Sequence, residues 1–144
     1  MIVCLGTGIE NTDSKHNTET TVFQMAATDG KAQNYWKNYA VGNGKSWLDH
    51  AGTGYYTPQP VKFTGLVKQE SRMQNTDKQT EGQWASLYFD HGKAPKNASY
   101  EYAVIPQTTR EKIDAFAAAP TYKVLRADNE AHIVSSDATH TVSY

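Results

Sequence analysis

Short runs of alternating or β-branched residues recur along the whole chain, and turn-forming residues separate them. The run QWASLYFD, Gln83–Asp90, has apolar side chains on both of its alternating faces, which predicts a central strand covered on two sides. Gly65 interrupts the alternation of Val61–Glu70 and predicts a β-bulge. The other predicted strands are Ile2–Leu5, Thr18–Gln24, Ser46–Asp49, Gly54–Tyr56, Tyr100–Ile105, Tyr122–Leu125 and His132–Ser135. Such a succession favours an all-β fold, an antiparallel β-sandwich.

One segment, residues 109–118, has a helical pattern. Thr108-Thr109-Arg110-Glu111 offers a capping threonine followed by a glutamate, and Ile113, Phe116 and Ala117 then recur at helical spacing. Pro120 ends this pattern. The sequence therefore predicts one short helix within the sandwich. The predicted turns are Gly6-Thr7-Gly8, Glu10–Asn17, Gly42-Asn43-Gly44, Gly92–Asn97 and Asp128-Asn129.

Length, charge and cysteine content exclude several classes of protein. The chain has 144 residues, which suits one domain, and its formal net charge of −1 gives no electrostatic case for binding nucleic acid. No apolar run approaches the roughly 20 residues that cross a membrane as a helix. The single cysteine, Cys4, lies in an apolar run and is interpreted as a core residue. Both ends read as if they interrupt a strand, so we expect a piece of a longer chain with a weak boundary near Pro120.

The stretch WLDHAGTGYY, Trp47–Tyr56, concentrates groups that could perform acid–base chemistry. It places an imidazole, a carboxylate and two phenols around two glycines. Two interpretations are open. The stretch is either a hairpin whose glycines provide the turn and whose aromatic side chains clamp its base, or a surface that contacts a glycan. The residues of the second hypothesis are Trp47, His50, Tyr55 and Tyr56.

Other sites are poorly supported by the sequence. Gly6-Thr7-Gly8 lacks the third glycine and the helix of a dinucleotide fingerprint, and no nucleophile elbow is present. No two histidines stand at the i, i+2 or i, i+4 spacing of a chelating pair, so neither a metal site nor another cofactor is predicted. Calcium binding by loop carboxylates such as Asp13 or Asp29 stays open, although no EF-hand pattern occurs. The histidines are His16, His50, His91, His132 and His140.

Five blocks of sequence, in order, resemble polysaccharide lyase family 8, which includes chondroitin and hyaluronate lyases. They cover nearly the whole chain. The blocks are VCLGTGIENTD (Val3–Asp13), TETTVFQ (Thr18–Gln24), WLDHAGTGYY (Trp47–Tyr56), SLYFDHGKAPKNASYEYAVIP (Ser86–Pro106) and VLRADNEAHIV (Val124–Val134).

The resemblance implies an architecture and a reaction. The family joins an N-terminal α/α toroid, a central β-supersandwich and a smaller C-terminal β-domain. Residues 1–120 would belong to the central sandwich, and residues 121–144 would end it and lead towards the C-terminal domain. The longer protein would cleave a glycosaminoglycan, chondroitin sulfate or hyaluronan, by β-elimination at uronic acid residues. It would act outside the cytoplasm, extracellularly or in the periplasm, with neither nucleic acid nor membrane as partner.

The resemblance also implies that catalysis resides elsewhere. The family's asparagine, histidine, tyrosine and arginine belong to the toroid, and its sandwich glutamate is expected upstream of residue 1. No catalytic residue is therefore expected in this chain, and the hairpin interpretation of Trp47–Tyr56 is favoured. A stand-alone carbohydrate-binding sandwich, suggested by the aromatic content, and a purely structural sandwich are the alternatives.

Overall fold

The computed structural model describes residues 1–37, 44–73, 76–137, 139 and 141–143. These residues form antiparallel sheets with two short helices, which confirms the β-sandwich prediction. The strands are β1 Ile2–Ile9, β2 Asn17–Ala26, β3 Ser46–Leu48, β4 Gly54–Tyr56, β5 Lys62–Arg72, β6 Gln79–Lys93, β7 Ala98–Ile105, β8 Tyr122–Ala127, β9 His132–Ser136 and β10 Thr141–Ser143, and the helices are α1 Gly30–Lys37 and α2 Arg110–Ala118.

The strands pair in three sheets, with orders β1-β7-β4-β3, β2-β6-β5 and β10-β9-β8. Strand β6 lies between β2 and β5, so the prediction that Gln83–Asp90 is central is confirmed. The register of β5 against β6 shifts between Thr64 and Val67, which confirms the bulge expected at Gly65. Gly42 and Asn43, the first two residues of the predicted turn Gly42-Asn43-Gly44, lie outside the described part of the chain.

The prediction that Gly6-Thr7-Gly8 ends the first strand is wrong. Strand β1 continues to Ile9, and Gly6 pairs with Tyr100 of β7. The tyrosine ring covers the glycine, because a Cβ placed on Gly6 would lie 2.2 Å from Tyr100 Cε1. Gly8 adopts a φ of 64° within a shift of register between Gly6 and Ile9. The glycines therefore shape a bulged strand rather than end it.

The prediction of a single helix is also wrong, because Gly30–Lys37 forms α1. The Asp29 carboxylate caps this helix by accepting a hydrogen bond from the Ala32 amide at 2.8 Å. Ala32 and Trp36, four positions apart, are its buried residues. A helix of eight residues has little stability by itself, so this helix depends on packing of those two side chains.

Helix α2 matches the predicted segment. Thr109 is the N-cap, and its hydroxyl accepts a hydrogen bond from the Lys112 amide. Ile113 is fully buried and anchors the helix. Within the described residues, neither α1 nor α2 has the length and apolarity needed to cross a membrane.

Strand β4 connects two hydrophobic cores. Tyr55 belongs to the core formed with β2, β6, β3 and α1, and Tyr56 belongs to the core under α2. Successive residues of a strand point to opposite faces, so this short strand is covered on both sides. The buried residues of the first core are Phe23, Ala27, Ala32, Trp36, Trp47, Tyr55, Ala85 and Leu87, and those of the second are Tyr56, Ala103, Ile113 and Tyr122.

Candidate functional site

The predicted cluster Trp47–Tyr56 is a hairpin of β3 and β4 built around a buried carboxylate. Asp49 is 3% exposed. Its Oδ1 accepts hydrogen bonds from the amides of Ala51 and Thr53, both at 2.9 Å, and its Oδ2 accepts one from the Tyr55 hydroxyl at 3.0 Å. Gly52, with a φ of 82°, gives the turn its left-handed residue. The carboxylate thus replaces water as the partner of two loop amides and one phenol.

Tyr55 serves as a hydrogen-bond donor to the buried carboxylate. Burial, and then the negative charge of Asp49, raise the pKa of Tyr55 well above its ordinary value. The hydroxyl therefore stays protonated at physiological pH and donates a hydrogen bond to Asp49.

His50 packs against α1. Its ring meets Trp36 edge to face with centroids 5.8 Å apart, and it lies 6.3 Å from Tyr35. The Nδ1 atom is buried and, within the part of the chain that the structure describes, has no hydrogen-bond partner. The ring is half-buried, so its main contribution is aromatic packing at the base of the hairpin.

The other predicted glycan-contact residues are core residues. Trp47, Tyr55 and Tyr56 are 2%, 8% and 8% exposed. The Trp47 indole donates a hydrogen bond to Thr57 Oγ1 at 3.0 Å, and Tyr56 packs edge to face on Phe116. Rings packed in this way have no free face on which a sugar could stack. The contacts favour the hairpin interpretation, and the glycan-contact hypothesis stays a prediction.

The loop carboxylates considered for calcium have partners within the protein. Asp13 accepts hydrogen bonds from His16 Nδ1 and from the Lys15 and His16 amides, and these interactions hold the pKa of its carboxyl below the ordinary value. Asp29 caps α1. Over residues 1–37, 44–73, 76–137, 139 and 141–143, no three histidine, cysteine or acidic residues are grouped as metal ligands would be.

The structure brings together a polar groove that the sequence did not predict. Two adjoining cavities of about 560 and 500 Å³ lie between the end of β1 and the β8–β9 turn. Thr7 and His132 meet there, with 3.0 Å between Oγ1 and Nε2. They are 125 positions apart, so no local pattern could reveal the pair. The residues lining both cavities are Thr7, Asp128, Asn129 and Glu130.

The rim of this groove carries one arginine between two carboxylates, so one negative charge remains. Arg126 Nε donates to Asp128 at 2.6 Å and its Nη2 donates to Glu130. The Arg126 hydrogen bond, followed by those from the Glu130 and Ala131 amides, lowers the pKa of Asp128 to about 2. The hairpin turn between β8 and β9 is thereby held in one shape.

Comparison with known proteins identifies the family. The profile of the polysaccharide lyase family 8 super-sandwich domain matches residues 1–117. The chain is 55% identical over 144 residues to a chondroitin sulfate ABC exolyase of Bacteroides thetaiotaomicron, with 100% of this chain and 14% of that protein covered. It is 35% identical over 153 residues to a chondroitin sulfate ABC exolyase of Proteus vulgaris, covering 99% of this chain and 15% of the relative. The chain thus spans about a seventh of the length of these relatives.

Solved structures share the fold. A chondroitin AC lyase of Streptomyces coelicolor superposes with a TM-score of 0.74 at 22% identity, covering 94% of this chain and 18% of the lyase. A xanthan lyase of Paenibacillus superposes with a TM-score of 0.73 at 23% identity, covering 97% of this chain and 16% of that enzyme. Three findings agree: the profile match over most of the chain, the identity to two exolyases and the shared sandwich. The chain therefore belongs to polysaccharide lyase family 8 and matches its super-sandwich domain.

Proposed function

We propose that this chain is the non-catalytic sandwich part of a longer lyase that cleaves a glycosaminoglycan, chondroitin sulfate or hyaluronan, by β-elimination. The observation that carries the proposal is the 55% identity to a chondroitin sulfate ABC exolyase over all 144 residues. A polymeric substrate of this kind lies outside the cytoplasm, so the longer protein would be extracellular or periplasmic.

The contacts within the hairpin favour placing the reacting groups elsewhere in the longer protein. Removal of the C5 proton of a uronic acid requires a neutralised carboxylate, a base for the proton and an acid for the leaving oxygen. In the hairpin, Asp49 is engaged by three donors and Tyr55 keeps its proton. The buried Nδ1 of His50 faces protein. These observations favour a non-catalytic role for the chain, with the reacting groups on a toroid of the same longer protein.

The division of the chain at residue 120 is part of the proposal. Residues 1–120 would complete the central sandwich, and residues 121–144 would lead towards a C-terminal β-domain. The separate sheet β10-β9-β8 supports this division, because all its strands follow Pro120. The profile match, which ends at residue 117, is in keeping with it.

The products of the longer protein test the reaction class. We expect chondroitin sulfate to yield oligosaccharides with a C4–C5 double bond in the terminal uronic acid, detected by ultraviolet absorbance and mass spectrometry. A hydrolase would add water and yield saturated ends. Saturated products, or an intact polymer under conditions in which the longer protein is folded, would contradict the proposal.

Substitution of His50 tests whether the hairpin takes part in turnover. We expect His50→Ala to lower the free energy of unfolding by about 1–2 kcal/mol, because the Trp36 and Tyr35 contacts are lost. Turnover of the longer lyase should stay within about threefold of the unsubstituted protein. His50→Phe is the matched control, since it keeps an aromatic ring and removes both nitrogens. A loss of turnover in both variants with an unchanged unfolding midpoint would show that the imidazole itself acts on the glycan.

A further inference from the structure

Strands β5 and β6 extend beyond the rest of their sheet as a two-stranded arm. Strand β2 ends at Ala26, opposite Trp84, and the Ala27 amide donates one further hydrogen bond to the Gln83 carbonyl. The arm consists of residues 68–72 of β5 and residues 79–83 of β6, and all of them except Gly82 are exposed. Two strands without a third are marginally stable in water, so the arm gains from any further surface that it contacts.

One face of the arm, the charged face, carries its ion pairs. Residues 68, 70 and 72 lie opposite residues 83, 81 and 79 in the register, so their side chains share this face. Lys68 Nζ lies 2.9 Å from a carboxylate oxygen of Glu70 and 2.7 Å from one of Glu81. The side-chain amide of Gln79 donates to Glu70 at 2.9 Å. Exposed cross-strand pairs of this kind suit a face that stays in water.

The opposite face of the arm, the uncharged face, has a different character. It begins at Val67, which is 48% exposed, and Trp84, where the arm leaves the sheet. The Trp84 ring covers Gly82, because a Cβ placed on Gly82 would lie 3.1 Å from Trp84 Nε1. Met73, which follows β5, is 50% exposed. The six residues of the uncharged face are Val67, Gln69, Ser71, Thr80, Gly82 and Trp84.

The uncharged face continues the outer face of the β2-β6-β5 sheet. Ala85 is buried in the first core, so its neighbours Trp84 and Ser86 point to the outer face. Gln24 of β2 lies opposite Ser86 and donates a hydrogen bond to Gln69 of the arm at 3.0 Å. The arm and the sheet therefore present one surface on this side.

Charged side chains border this surface at its margins. A hollow of about 250 Å³ beside Trp84 is lined by Gln24, Gln69, Glu70, Ser71, Thr80, Glu81, Gly82 and Trp84. Its two glutamates belong to the charged face of the arm and both pair with Lys68. At the far end of the sheet, Lys62 pairs with Asp90 at 2.5 Å, and Glu19 lies opposite Asp90.

We propose that the uncharged face of the arm is a contact surface for another part of the longer protein. The centre of a protein interface is poor in charge and rich in tryptophan and methionine, whereas its rim is polar. The two faces of the arm differ in this way. The occupant would be an uncharged surface with an apolar side chain for the hollow beside Trp84. These 144 residues span about a seventh of the length of their relatives, so a longer protein has ample chain to provide it. This inference rests on the proposed function, since it requires that longer protein.

Hydrogen exchange of the arm amides, followed by mass spectrometry of peptides that cover residues 67–83, tests the inference. In the 144-residue chain the arm should exchange rapidly, because a two-stranded arm opens locally. In the longer protein the same amides should exchange about tenfold more slowly or less. The amides of residues 85–89, in the middle of β6, are the internal reference for overall stability.

Two glutamines on opposite faces of the arm provide matched variants. Gln69 accepts a hydrogen bond from Gln24 on the uncharged face, and Gln79 donates one to Glu70 on the charged face. Gln69→Lys and Gln79→Lys each add one positive charge at an exposed position. In the longer protein, Gln69→Lys should speed exchange of the arm about tenfold, because the contact would bury an unpaired charge. Gln79→Lys should change it by less than about twofold.

Equal exchange of the arm in the 144-residue chain and in the longer protein would overturn the inference, as would equal effects of the two substitutions in the longer protein. Slow exchange that depends on the concentration of the 144-residue chain would also overturn it, since a second copy would then be the occupant. Failure of the proposed function would look different. A longer protein that cleaves no glycosaminoglycan would refute the proposed function, and the exchange of its arm would still decide the inference.

Discussion

Replacement of Asp49 by alanine is expected to lower the free energy of unfolding by about 3 kcal/mol or more. The substitution removes an acceptor that is 3% exposed and serves two loop amides and the Tyr55 hydroxyl. The phenol, with its pKa raised by burial, cannot relieve the loss by ionising. The hairpin would have to open to water or keep three unsatisfied donors.

Urea unfolding of the Asp49→Ala, Asp49→Asn and Asp77→Ala variants, each compared with the unsubstituted chain, measures this effect. Asp77→Ala is the matched control, because Asp77 is exposed, and it should change the free energy of unfolding by less than about 0.5 kcal/mol. Asp49→Asn keeps the shape and one carbonyl acceptor and should fall between the other two. A loss below about 1 kcal/mol in Asp49→Ala would show that the carboxylate is dispensable for the fold, and its burial would then need a functional reason.

Replacement of Leu87 by alanine is expected to cause the second large loss in the free energy of unfolding. Leu87 lies in the middle of β6 and is fully buried in the first core, between the β2-β6-β5 sheet and the aromatic residues of α1, β3 and β4. Removing its branched end leaves a cavity that the paired strands on both sides cannot close. We expect a loss of about 3 kcal/mol in the free energy of unfolding.

The chain provides a control with the same chemical change. Leu125 in β8 is 58% exposed, so Leu125→Ala should cost less than about 0.5 kcal/mol. Thermal and urea unfolding of the two variants should therefore separate clearly. Similar losses in both would mean that β6 is not the centre of the sandwich core.

The strands could be predicted from the sequence because side chains along a strand alternate between its two faces. Gln83–Asp90 shows apolar groups on both faces, and β6 is indeed flanked by two strands. The same rule, applied locally, failed at Gly6. There the deciding contact is the ring of Tyr100, which lies 94 positions away in the sequence and opposite Gly6 in the register. A local pattern contains no information about such a partner.

Helix α1 was missed for a related reason. Its apolar pair Ala32 and Trp36 has helical spacing, and Asp29 is a suitable cap, but two buried residues in eight are a weak signal. The aromatic content of the chain suggested carbohydrate binding. Trp36 is instead 3% exposed and faces Phe23, with ring centroids 5.6 Å apart.

For the hairpin, the residues alone left two interpretations open, a structural turn or a glycan contact, and could not decide between them. The sequence shows which groups lie close along the chain, and it does not show which way each side chain points. Tyr55 and Tyr56 face opposite cores, so both are withdrawn from the surface. The groove between Thr7 and His132 needs tertiary structure, because its walls come from opposite ends of the chain.

We propose that this chain supports a lyase and performs no cleavage by itself. The most direct measurement compares the purified 144-residue chain with the longer protein in the same chondroitin sulfate assay, following the ultraviolet absorbance of unsaturated uronic acid. We expect the longer protein to release such products and the folded 144-residue chain to release none. Turnover by the 144-residue chain alone would contradict the account and return Asp49, His50 and Tyr55 to consideration as a catalytic site.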